Sequence, residues 1–170
     1  MEKILEIACA LNTISPERWT SIIQALPAEL LTRPAAEGEW SAVDCLQHLV
    51  DTEAVFQFRV QCFLDGHDFP DFNPAVDGSA PGPQTPQALV QEFARLRRES
   101  LRILKALSPA DLERKVRHAE LGMVTLNEMV HNWAGHDLNH TVQAERALMQ
   151  PFIQGNGPWV KYYTDHLIGD

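Results

Sequence analysis

The sequence predicts an all-α protein folded as a four-helix bundle. Three observations predict it. Four long segments carry apolar residues at helical spacing, Ser or Thr stands where several of them begin, and no segment shows a convincing strand pattern. With 170 residues, 45% of them hydrophobic, the chain is long enough to bury one sizeable core, so residues 1–170 are read as a single domain.

The first helical segment covers residues 2–12, with Ile4, Leu5, Ala8 and Leu11 on one face. Ser15-Pro16 is a start signal, because Ser caps and Pro suits the first helical position; the helix restarts there and runs to about Leu26. One kinked helix and two short ones remain equally compatible with this pattern. Residues 27–39 contain Pro27, Pro34 and Gly38 and form a loop, which ends where Ser41 caps a second helix over residues 42–64. Residues 65–86 are rich in Pro, Gly and Asp; so long a connection is a crossover, a functional loop, or both. Thr85-Pro86 then opens a third helix to about residue 107, with Leu89, Phe93, Leu96, Ile103, Leu104 and Leu107 on one face. Ser108-Pro109 starts a short helical turn, residues 115–123 are a linker with room for extended chain, and the fourth helix covers residues 125–150. The aromatic tail beyond Pro151 is expected to pack on the bundle or on a second copy, which leaves room for a homodimer.

Charge and composition narrow the function. A formal net charge of -9 argues against nucleic-acid binding, and the one basic cluster, Arg95-Leu96-Arg97-Arg98, reads as a solvated helix face. No apolar run approaches the roughly 18 residues that would span a bilayer, and the N-terminus lacks the layout of a signal peptide, so a cytoplasmic protein without membrane contact is expected. The three cysteines are unpatterned, which speaks against a disulfide framework; Cys45 reads as a small core residue. Neither a Gly-rich phosphate loop nor a Gly-x-Ser-x-Gly elbow is present.

The residues with the clearest chemistry are His136 and His140. Four apart on a helix, they share a face with Cβ atoms about 5–6 Å apart, close enough to grip one metal ion. Taking 100° per residue, Met129, Trp133, Ala144 and Ala147 fall within about 80° of His136 on the side of His140, so both imidazoles face the core. A lone buried histidine is commonly structural, whereas a pair at this spacing suits a metal equally well. On the second helix, His48 lies at the edge of the stripe formed by Cys45, Leu49, Phe56, Val60 and Phe63, where it is either a ligand reaching to a neighbouring helix or a half-exposed surface residue. Glu53 lies inside that stripe. A carboxylate there needs a cation or hydrogen-bond donors, and an arginine is expected. The di-iron carboxylate pattern is not met, because only Glu128-Met129-Val130-His131 has the spacing and His131 points away from His136.

Two stretches then resemble a known family. Glu39-Trp40-Ser41 with Asp44, Gln47, His48 and Glu53, followed by Thr125-Leu126-Asn127-Glu128 and His136-Asp137-Leu138-Asn139-His140 with Gln143 and Arg146, resemble the DinB/YfiT-like superfamily over residues 26–148. The resemblance implies an up-down-down-up bundle with a long crossover between helices two and three. It also implies a divalent metal such as nickel, zinc or iron on His48, His136 and His140. In that topology Glu53 stands level with Trp133 and Asp44 with Gln143. Asp44, Asp51 and Asn132, each one turn from a ligand, are candidates to hold the far ring nitrogens.

The family includes transferases and isomerases that use a low-molecular-weight thiol such as bacillithiol, mycothiol or glutathione. The chemistry is coherent, because three neutral ligands leave a cation its full charge and an open position at which a thiol is acidified. A metal-dependent thiol S-transferase is therefore the first expectation, with Trp133, Gln143 and the loop of residues 65–86 walling the thiol and substrate pocket. The alternatives are a metal-dependent hydrolase and a non-catalytic metal-binding or stress-response bundle.

Overall fold

The computed structural model describes residues 2–78 and 85–168. They form four long helices, α1 (Glu2–Ala25), α2 (Ala42–Asp65), α3 (Pro86–Ala106) and α4 (Leu126–Gln154), and a small antiparallel hairpin of β1 (Lys115–His118) with β2 (Gly122–Thr125). Local chemistry sets the helix ends. Ser41 and Thr125 head α2 and α4 in reciprocal capping boxes with Asp44 and Glu128, and Thr85 caps α3 ahead of Pro86. Gly66 ends α2 in the left-handed region at φ 74°, which a side chain would strain.

The order of the helices follows from two apolar layers. One joins Ala8 of α1 and Val130 of α4 to Val60 of α2 and Leu104 of α3. The other joins Ile23 of α1 and Ala144 of α4 to Leu46 of α2 and Phe93 of α3. Early residues of α1 and α4 thus share a level with late residues of α2 and α3. The bundle runs up-down-down-up, and α1 packs on α3, α3 on α2, α2 on α4 and α4 on α1. The chain between α2 and α3 crosses the length of the bundle; its first part pairs with β1 through Phe69 and His118, and Pro74–Asp77 form a short helical turn. No helix among the described residues is long and apolar enough to cross a membrane.

Between the two layers lies a buried polar level, and Arg97 is its centre. Its guanidinium donates to Glu53 Oε1 at 2.5 and 2.9 Å, to Asp137 Oδ1 at 2.8 Å, and to the side chain and backbone carbonyls of Asn12. Ser100 donates to the second oxygen of Glu53 at 2.5 Å, and the Trp133 indole N–H reaches Glu53 Oε1 at 3.3 Å. The arginine expected for Glu53 is therefore present, and Glu53 stands level with Trp133. Arg97 is also a correction: only 1% of it is exposed, so the basic cluster of residues 95–98 is not simply a solvated face.

The same guanidinium accounts for the continuity of α1 through Pro16. Proline has no N–H to donate to the carbonyl four residues back, which is that of Asn12, and Arg97 takes up this freed acceptor. Pro151 likewise lies inside α4, which extends to Gln154 instead of ending at residue 150. Residues 115–123 belong to a hairpin, one turn of extended pairing that four-residue strands announce weakly. The tail forms two short 3-10 turns on α4, anchored by Gln150 donating to the His166 carbonyl, but Trp159 and Tyr162 stay largely exposed. The tail therefore packs on the bundle, as one of its two expected placements requires, while these two rings are not buried by it.

Candidate metal centre

His48, His136 and His140 meet where α2 and α4 run antiparallel. One ligand-capable nitrogen from each lies within 4.8 Å of the other two. His48 Nε2 and His136 Nε2 are 3.0 Å apart, and the His140 ring centroid is 4.4 Å from those of both partners. The capping box at Ser41 starts α2 so that His48 falls two turns inside it, facing α4. On α4, Asp137 follows His136 directly and points about 100° away into Arg97, which fixes the rotation that turns His136 and His140 towards α2. Two aromatic walls enclose the rings. Trp40 stacks on His140 at 5.6 Å, and Phe56 presents an edge-on contact to His136 at 5.5 Å.

The electrostatics suit metal binding. Burial and the neighbouring His140 hold His48 down to about 4, and burial with the two other imidazoles holds His136 down to about 3. His140 is also lowered, chiefly by burial. All three rings are therefore neutral at pH 7, with lone pairs available. Gln143 Oε1 accepts from His140 Nδ1 at 2.9 Å, which leaves His140 Nε2 as the open donor atom. A zinc ion with nitrogen ligands at 2.0–2.1 Å holds them roughly 3.3 Å apart at a tetrahedral angle, so nitrogens already this close need little rearrangement. Neutral donors, a fixed tautomer and convergent nitrogens fit a divalent cation. Cys45 does not join them: it is fully buried, and burial and Asp44 push its thiol up to about 12.

A cavity of about 300 Å³ opens on His48 and His136. Its walls are Phe56 and Arg59 of α2, Asp71 and Phe72 of the crossover, and His118 at the end of β1. The crossover thus forms part of the site, as its length suggested. Of the two residues expected to wall the pocket, Trp133 is placed in the core beneath it, 1% exposed and stacked on Phe56 at 4.8 Å. Gln143 instead lines a second cavity of about 310 Å³ behind His140, with Trp40, Asn139 and Arg146. Gln143 also holds the far nitrogen of His140, a partner not expected from the sequence; Asp44 is engaged with Ser41 at the helix cap, and the charge of Asp51 acts on His48. Sequence reasoning missed Arg59 and His118. Arg59 carried a usable signal, because three turns from His48 on one helix it returns to within about 20° of the same face.

An up-down-down-up bundle with one histidine on its second helix and two at i, i+4 on its fourth defines a class of histidine-centred, candidate metal-binding helical bundles. The family model for the DinB superfamily matches residues 12–144, and the chain belongs to that superfamily. Among solved structures it is similar to YfiT from Bacillus subtilis, described as "a probable metal-dependent hydrolase with an unusual four-helix bundle topology". The TM-score is 0.73, with 14% identity and 87% of each chain covered, a likeness that shows the fold. No protein of curated function matches the chain.

Proposed function

We propose that this protein is a metal-dependent enzyme that transfers a low-molecular-weight thiol to a small electrophile bound in the cavity beside the three histidines. One observation carries the reading: of three neutral imidazoles with convergent nitrogens, two line a cavity large enough for a small molecule. A nickel, zinc or iron ion held there supplies a Lewis acid that acidifies a thiol or a water molecule beside it. His48, His136 and His140 would hold it through Nε2, and Gln143 keeps His140 in the tautomer this requires. Phe56, edge-on to His136, gives the reacting end an apolar wall, and Phe72 lines the same cavity. Arg59 adds a positive charge along the same wall, which favours anionic forms. Asp137, the carboxylate adjacent to a ligand histidine, is committed to Arg97 and is not free to act as a general base.

Hydrolysis is the second reading. It is favoured by Asp71 and Glu120, carboxylates at the cavity wall that could take a proton from water. Cobalt(II)- or nickel(II)-loaded protein separates the two. Under thiol transfer, adding glutathione or bacillithiol produces a sulfur-to-metal charge-transfer band, and transfer to a haloarene or an epoxide follows. His48→Ala, His136→Ala or His140→Ala abolishes both signals, whereas His67→Ala or His166→Ala leaves them. A metal-loaded protein whose spectrum ignores every thiol, and which accelerates no transfer, moves the assignment to hydrolysis or to a non-catalytic role.

A further inference from the structure

Arg59 and His118 line the cavity that opens on His48 and His136, and each has a donor with no matching acceptor. The Arg59 guanidinium lies over the Phe69 ring at 5.1 Å, and among the described residues no carboxylate comes within ion-pair distance of it. His118 is 5% exposed, and its tautomer is fixed from one side: Nδ1 accepts from the backbone N–H groups of Glu120 and Leu121 at 3.1 and 3.3 Å. The proton of a neutral ring is then on Nε2. Nε2 faces the Arg59 guanidinium at 3.4 Å, a contact between two donors that contains no hydrogen bond. Asp71 approaches the pair from the crossover, with Oδ1 3.7 Å from His118 Nε2, too far to bond, and half of its side chain in solvent. Two buried or half-buried donors, one a full cation, therefore converge on a space that an exposed carboxylate only approaches.

We infer that Arg59 and His118 form a carboxylate-binding subsite, for which Asp71 is the loosely held internal stand-in. The placement on α2 gives the ligand a shape. Arg59 lies three turns beyond His48, roughly 16 Å along the axis and about 20° round it, and a helical side chain leans back towards the N-terminal end. A molecule bound at both ends carries its carboxylate roughly 10 Å from the atom placed at the histidines. The inference rests on the proposed site only for what happens at the histidine end. The carboxylate belongs either to the thiol or to the electrophile.

Isothermal titration of the whole protein with two matched pairs of probes tests this: glutathione against its diethyl ester, and phenylbutanoate against phenylbutanamide. Each carboxylate that uses the subsite binds wild-type protein about ten-fold or more tighter than its neutral counterpart. A preference in the glutathione pair places the carboxylate on the thiol, and a preference in the phenylbutanoate pair alone places it on the electrophile. Arg59→Gln removes the preference by weakening only the charged probe, and Asp71→Asn strengthens the charged probe several-fold by removing the competitor. Should Arg59→Gln fail to fold, Asp71→Asn still tests the site in the opposite direction. No preference in either pair, or a preference that both variants leave unchanged, overturns the inference. Metal content measured on the same samples keeps the two readings apart. Preference retained by proteins that bind no metal defeats the metal centre alone, and metal bound without preference defeats the subsite alone.

Discussion

Glu53→Ala is the most informative perturbation of the fold, because Glu53 has three partners that each lose something distinct. Arg97, 1% exposed, keeps Asp137 and Asn12 but loses one of its two carboxylates. The Ser100 hydroxyl and the Trp133 indole N–H lose their acceptor in a site where water does not replace it. Breaking a buried ion pair by removing one member costs about 3–5 kcal/mol. In a protein of this length each kcal/mol lowers Tm by roughly 2–4 °C, so a fall of roughly 6–20 °C is expected in thermal unfolding followed by circular dichroism. Glu53→Gln, which keeps the shape and an acceptor but loses the charge, falls between the two. A Tm within about 2 °C of wild type, with an unchanged urea midpoint, would refute the claim that a buried charge cluster ties the four helices together.

The remaining expectations concern the histidine centre. Gln143→Leu removes the acceptor from His140 Nδ1 and should weaken metal binding about 10–100-fold in competition with a chelator, while Tm of the metal-free protein changes little. Metal affinity should start to fall on acidification only below the ordinary histidine range, because burial lowers all three ligand rings, His48 to about 4 and His136 to about 3. An affinity that already falls near pH 6.5 would contradict those environments. The same shifts fix the sign of the acid response of the metal-free protein. The unfolded chain protonates these rings near pH 6.5 while the folded one does not, so the folded state loses stability as pH falls from about 6.5 towards about 3, and not above it. Urea unfolding at pH 7.5 and pH 5 measures that difference.

Much of this arrangement is legible in the sequence, for identifiable physical reasons. His136 and His140 are a local pattern, and their helix angle points them inward without further information. Glu53 announces a buried partner because a carboxylate inside an apolar stripe cannot stand alone. Arg97 was equally available but is hidden by its neighbours Arg95 and Arg98: at four residues from Phe93 and seven from Leu104, it lies in the buried stripe of its own helix. What could not be read locally depends on tertiary partners. Pro16 interrupts a helix only if the Asn12 carbonyl stays unsatisfied, and the guanidinium that satisfies it comes from a helix far along the chain. His118 looks like a surface residue of a linker until the hairpin buries it and the crossover brings Phe69 and Asp71 alongside. Trp133 was placed on the correct face but at the wrong depth, because periodicity gives direction and not burial.

The measurement that bears most directly on the account is the metal content of protein purified without an affinity tag, compared with His48→Ala, His136→Ala and His140→Ala under the same conditions. The account predicts about one equivalent of a divalent transition metal per chain in the wild type, and its loss in each variant. A wild-type protein that takes up no metal on reconstitution, or one whose metal survives all three substitutions, would contradict it.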